Sequence, residues 1–107
     1  MTTIDYTGKS VLVTGGSKGI GAAICRTYAK YNADIIVNYR SHEEESEAFV
    51  KSLSDEFDVK AIGIKGDISS EEDVKRIFEK AKEKMGKVDI LINSAGSRKT
   101  MNVLDIA

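Results

Sequence analysis

The chain has one cysteine, one histidine and no proline. With Cys25 alone, neither an internal disulfide nor a cysteine-rich metal site can form, and the residue reads as a small apolar position on a helix. His42 stands in a charged stretch and reads as a solvated turn residue, not a catalytic one. There is no apolar run of about 18 residues, the length a membrane helix needs. Residues 1–5 have neither the basic start nor the apolar centre of a secretory signal, so the sequence predicts a soluble, cytoplasmic protein without membrane contact. A charge excess is missing too. The 16 lysines and arginines against 17 aspartates and glutamates leave a net charge of -1 and are interspersed, which argues against a nucleic-acid surface. No repeat or low-complexity stretch divides the 107 residues, and 41% apolar content suits one small globular domain.

What the chain does have is glycine in one place. Val11-Leu12-Val13 is a short apolar run of buried-strand type, and it leads into Thr14-Gly15-Gly16-Ser17-Lys18-Gly19-Ile20-Gly21 before a helical pattern begins at Ile20. Such a turn can cradle phosphate. One glycine takes an unusual φ, one lets backbone N–H groups approach a pyrophosphate, and one lets helix and strand pack closely. The helix then points its positive end at the anion. Gly8-Lys9-Ser10 resembles the end of a P-loop, but Thr3 stands where that motif needs its first glycine.

The remainder alternates strands and helices. After a polar lead-in, the first strand is Ser10 to Thr14, and Ile20, Ala23, Ile24, Thr27, Tyr28 and Tyr31 recur at helical spacing. Ile35 to Asn38 is a β-branched second strand, and Tyr39 to His42 turns the chain into a second helix. That helix has Ser41 as its expected N-cap, an acidic first turn, and Phe49, Val50, Leu53 and Phe57 facing inward. Val59 to Lys65 is the third strand. Ser69 or Ser70 caps a third helix with Glu72 or Asp73 in capping-box position; Val74, Ile77, Phe78, Ala81 and Met85 form its stripe, and Gly86 stops it. Val88 to Asn93 is the fourth strand. This alternation calls for right-handed crossovers: an α/β, Rossmann-type doubly wound parallel sheet, β-α-β-α-β-α-β, with strand order 3-2-1-4 and helices on both faces.

Three segments in this order resemble the short-chain dehydrogenase/reductase family: the T-G-x-x-x-G-x-G turn from Thr14 to Gly21, Gly66-Asp67-Ile68 after the third strand, and Leu91-Ile92-Asn93-Ser94-Ala95-Gly96 closing the fourth. The similarity runs from about Lys9 to Gly96 and corresponds to the N-terminal part of a family member. It implies a dinucleotide cofactor and hydride transfer between nicotinamide and a small alcohol or carbonyl substrate. It also implies that Thr14, Gly15, Ser17, Lys18, Gly19, Ile20 and Gly21 take the pyrophosphate side, and that Asp67 and Ile68 lie beside the adenine. Asn93, Ala95 and Gly96 would line the cofactor, with Asn93 also tying neighbouring strands. A plain turn role for Asp67 and a plain strand-end role for Asn93 remain the competing readings. Ser94 stands where the family more often has Asn, a small polar exchange that leaves the cofactor reading intact.

Charge then bears on the cofactor. An NAD site places an acid at the end of the second strand, where this chain has Tyr39 and then Arg40. Lys18 and Arg40 could converge on one 2′-phosphate, each charge-assisted bond contributing about 1.5 to 3 kcal/mol. The expected cofactor is NADP, with NAD second.

The family's catalytic serine, tyrosine and lysine lie beyond the fourth strand. Tyr6, Tyr28, Tyr31 and Tyr39 are followed four residues later by Ser10, Asn32, Ile35 and Glu43, so no Y-x-x-x-K occurs. No catalytic residue is therefore assigned. Residues 1–107 are expected to be the N-terminal dinucleotide-binding part of a single Rossmann domain whose catalytic half is absent. Residues 97–107, with Arg98, Lys99, Met101, Val103, Leu104 and Ile106, read as the start of a substrate-side loop and helix. A full-length member is expected to be a homo-oligomer. The isolated chain, with Val88, Ile90, Leu91 and Ile92 on a sheet edge, is expected to be marginally stable or self-associating. The alternative is a non-catalytic nucleotide- or partner-binding half-domain.

Overall fold

The structure, a computed structural model, describes residues 4–94. β1 (Ser10–Thr14), α1 (Gly19–Lys30), β2 (Asp34–Tyr39), α2 (Glu43–Glu56), β3 (Ala61–Lys65), α3 (Glu71–Met85) and β4 (Ile90–Asn93) follow one another as strand, helix, strand. The sheet is parallel throughout, ordered β3-β2-β1-β4, with Val11 opposite Ile35 on one side and Ile90 on the other. The predicted topology is therefore observed.

Period-two alternation sends side chains to two cores. Val11, Val13, Ile35 and Val37 face α1 and α2, meeting Cys25, Ala29, Val50 and Leu53. Leu12, Ile36 and Ile64 face α3 and meet Ile77 and Ala81. Every residue of β1 is buried, because β1 has a strand on each side and a helical layer on each face. At the entry of the sheet, Ser10 N–H donates to Asp89 Oδ2 at 2.8 Å. That bond, with the Lys87 ammonium nearby, holds the Asp89 carboxyl below its ordinary range.

Two local expectations are corrected. Helix α1 does not face the sheet with Ile20, Ala23 and Thr27, which are exposed, Ile20 by 77%. Its buried stripe is Gly21, Cys25 and Ala29, flanked by the partly buried Ile24 and Tyr28. Small residues on that face let α1 approach the sheet closely, and a stripe built from Gly, Cys and Ala carries a weak hydrophobic signal. Helix α2 is not capped by Ser41. Its N-cap is His42, in a left-handed conformation (φ 58, ψ 53) and without a side-chain cap. Glu43, Glu44 and Glu45 supply the favourable charge in that first turn instead.

Helix α3 follows its sequence signals. Ser70 Oγ accepts from Asp73 N–H at 3.3 Å, and Gly86, with φ of +84, closes the helix through its N–H to Lys82 O. The Asp73 carboxylate reaches back past the cap to accept from Asp67 N–H at 2.8 Å, so α3 fixes the loop leaving β3.

Candidate cofactor site

A parallel sheet gathers the C-terminal ends of its strands on one edge. Thr14, Arg40, Asp67 and Asn93 each stand at or just after such an end, so residues spread over nearly the whole chain meet there.

The glycine turn makes one side of the site. Gly15 and Gly19 have positive φ, 61 and 53. Gly21 is needed for closeness: a Cβ there would collide with Gly15 O and would lie 2.6 Å from Ser94 Oγ and 2.9 Å from Gly16 Cα. The cradle is thus one that a side chain would fill. Helix α1 starts with Lys18 as an extended N-cap and no side-chain cap, and its first turn contains no acid. Its first recorded amide bond is Ala22 N–H to Lys18 O at 3.2 Å; among the described residues the amides of Gly19, Ile20 and Gly21 have no acceptor. The starts of α2 and α3, by contrast, each hold three acidic residues. The α1 terminus therefore offers unshared donors and an uncompensated positive dipole, an arrangement suited to an anion.

Two polar links hold this turn, and neither was expected from the sequence. Asn38 is 2% exposed; its Nδ2 donates to Ile64 O and Gly66 O, both at 3.2 Å, and its Oδ1 accepts from Gly15 N–H at 3.4 Å. Gly16 N–H donates to Asn38 O at 3.0 Å. One buried amide thus joins the exits of β1, β2 and β3. Ser46, on α2, meets Ser17 Oγ at 3.0 Å. A polar residue inside a β-branched run and a serine on the buried stripe of a helix were the available signals.

On the β4 side, Thr14 Oγ1 donates to Asn93 Oδ1 at 2.8 Å, so Asn93 does tie its strand to β1. Ser94 Oγ donates to Thr14 O at 2.5 Å. On the β3 side, Asp67 Oδ1 accepts from Ser69 N–H at 2.9 Å and from Ser69 Oγ at 2.8 Å, the Asx-type turn weighed from the sequence. Those bonds hold the Asp67 carboxyl below its ordinary range, and the Arg40 charge lowers it further. Ile68 is partly buried against the α3 core.

Lys18 and Arg40 are both exposed, and among the described residues neither lies within 4.0 Å of a carboxylate. Tyr39, just before Arg40, points the other way: its hydroxyl donates to Glu47 Oε2 at 2.6 Å, and burial with that carboxylate pushes the phenol well above its ordinary range. Thr14, Gly15, Ser17, Lys18, Gly19, Ile20 and Gly21 thus form one continuous turn, with Arg40 and Asp67 on one side and Asn93 on the other. Ala95 and Gly96 lie outside the described residues, as do residues 97–107. No helix among the described residues is long and apolar enough to cross a membrane.

Comparison with known proteins places this arrangement. The family model described as short chain dehydrogenase matches residues 9–107. L-rhamnose 1-dehydrogenase (NADP(+)) of Thermoplasma acidophilum is 42% identical over 93 residues, covering 87% of this chain and 36% of that protein. The 3beta-hydroxysteroid dehydrogenase 1 of Eggerthella lenta is 39% identical over 92 residues, covering 86% of this chain and 35% of the relative. The chain therefore spans about a third of the length of these relatives. Among solved structures, a dehydrogenase/reductase from Sinorhizobium meliloti superposes with a TM-score of 0.83 at 32% identity, over 95% of this chain and 40% of that one. A Burkholderia cenocepacia protein described as a dehydrogenase, solved with bound NADP, gives 0.78 at 28% identity, over 86% and 36%. With a Rossmann-type sheet, an open glycine turn and a family match over most of its length, this chain belongs to the short-chain dehydrogenase family of oxidoreductases.

Proposed function

We propose that residues 1–107 form the cofactor-binding part of an NADP-preferring oxidoreductase that moves hydride between nicotinamide and a small alcohol or carbonyl substrate. The observation that carries the reading is the open, acid-free start of α1, with Lys18 at its N-cap and Arg40 following β2 where an NAD site would hold an acid. The Thermoplasma relative is named for NADP(+), and the Burkholderia structure holds NADP, which supports the same choice here.

In this reading the amides of Gly19, Ile20 and Gly21 bind the pyrophosphate, and the lack of a Cβ on Gly21 keeps the turn flat against the sheet. Lys18 and Arg40 take the 2′-phosphate. Asp67 and Ile68 border the adenine, and Asn93 holds the β1–β4 wall. NADPH, when bound, supplies the hydride. The sequence contains no Y-x-x-x-K, so the proton donor is assigned to no residue of this chain.

Fluorescence titration of the protein with NADPH and NADH tests the reading. The expected result is at least about a tenfold preference for NADPH, the equivalent of one charge-assisted contact. Equal affinities would overturn it.

A further inference from the structure

We propose that Ser46 is a positioning residue that sets the spacing of Lys18 and Arg40, and through them the preference for a 2′-phosphorylated adenosine; this rests on the cofactor reading above. Ser46 is 1% exposed and is the one polar member of the buried stripe of α2, beside Val50 and Leu53. Its oxygen lies 3.3 Å from Ser41 O and 3.0 Å from Ser17 Oγ. A hydroxyl has one proton and a carbonyl only accepts. Ser46 therefore donates to Ser41 O, and its oxygen accepts the proton of Ser17.

The sequence positions of those partners give the link its consequence. Ser17 immediately precedes Lys18, and Ser41 immediately follows Arg40. One buried side chain is thus tied to both loops, one residue away from each cation. Ser46 is itself fixed, because its N–H donates to His42 O at 2.9 Å and so holds it in the first turn of α2. The Asn38 bonds to Gly15 and Gly16 hold the turn to the end of β2, and Ser46 adds the tie that lies one residue from each cation. An alanine at 46 would preserve the helix, nearly all of its packing and the Asn38 bonds to the turn, while removing the tie beside Lys18 and Arg40.

The test uses the whole protein as its gene encodes it and two probes that differ only in the 2′-phosphate, adenosine 2′,5′-bisphosphate and 5′-AMP. Wild type is titrated first: an equal affinity for both probes overturns the cofactor reading and this proposal with it. Given a wild-type preference, Ser46→Ala is expected to reduce the ratio by about three- to tenfold while 5′-AMP binds as before. An unchanged ratio, or an equal loss for both probes, would leave the cofactor reading standing and overturn the role of Ser46. If Ser46→Ala does not fold, Ser46→Cys, which keeps the size and weakens the donor, is read by the same ratio against the same two outcomes.

Discussion

The hydroxyl of Ser94 stands 2.6 Å from where a Cβ on Gly21 would be, and the same hydroxyl donates to Thr14 O at 2.5 Å. The end of β4 therefore seals the back of the glycine turn, and residue 21 must remain without a side chain.

Gly21→Ala is expected to cost about 1 to 3 kcal/mol, since the new methyl meets Gly15 O and the Gly16 backbone, neither of which can swing away. Gly19→Ala meets nothing within 4 Å and has only its positive φ to bear, about 1 to 2 kcal/mol. Chemical denaturation measures both losses. NADPH titration then reads what each change does to the cofactor site.

Asn38 is expected to be intolerant of Asp. Asn38→Ala leaves Ile64 O, Gly66 O and Gly15 N–H without their partner, a loss of about 1 to 3 kcal/mol. Asn38→Asp adds a buried carboxylate facing two carbonyl oxygens and should cost more. Burial raises the folded-state pKa of that carboxyl, so the variant should regain stability as pH falls and the group becomes a donor. Denaturation midpoints at pH 7 and pH 5 check this; a midpoint for Asn38→Asp that does not rise on acidification would contradict it.

Cys25 should resist thiol reagents in the folded protein. Burial pushes its thiol from the ordinary 9.0 up to about 12, and it packs against the turn with Gly16 O at 3.5 Å. The unfolded chain loses this proton first, so the contribution is complete below about pH 9 and is withdrawn between pH 9 and 12, by at most about 4 kcal/mol. Cys25→Ala should therefore lose less stability than wild type over pH 9 to 11 in thermal melts. An identical slope would remove Cys25 from the alkaline limb.

The 107-residue chain expressed alone is expected to be marginally stable or self-associating. Ile90, Leu91 and Ile92 of β4 are only partly buried, and among the described residues no strand pairs with the outer side of β4. Light scattering over a concentration series reads this directly, and a monodisperse monomer with a cooperative, high-temperature melt would refute it.

The sequence determined the order of elements and the chemistry at their ends. A run such as Ser10–Thr14 reads as a strand buried on both faces, and glycines at 15, 19 and 21 directly after it read as a turn that a phosphate can approach. Those signals are local, because backbone dihedrals and side-chain periodicity act over a few residues. Which face of α1 meets the sheet was decided by tertiary packing: Gly21, Cys25 and Ala29 win over the more apolar Ile20 because closeness, not side-chain area, controls that contact. Asn38 and Ser46 belong to the same class. Their roles depend on partners that lie far away in the sequence, Gly66 for the one and Ser17 for the other, and only the parallel sheet brings those partners within hydrogen-bond reach.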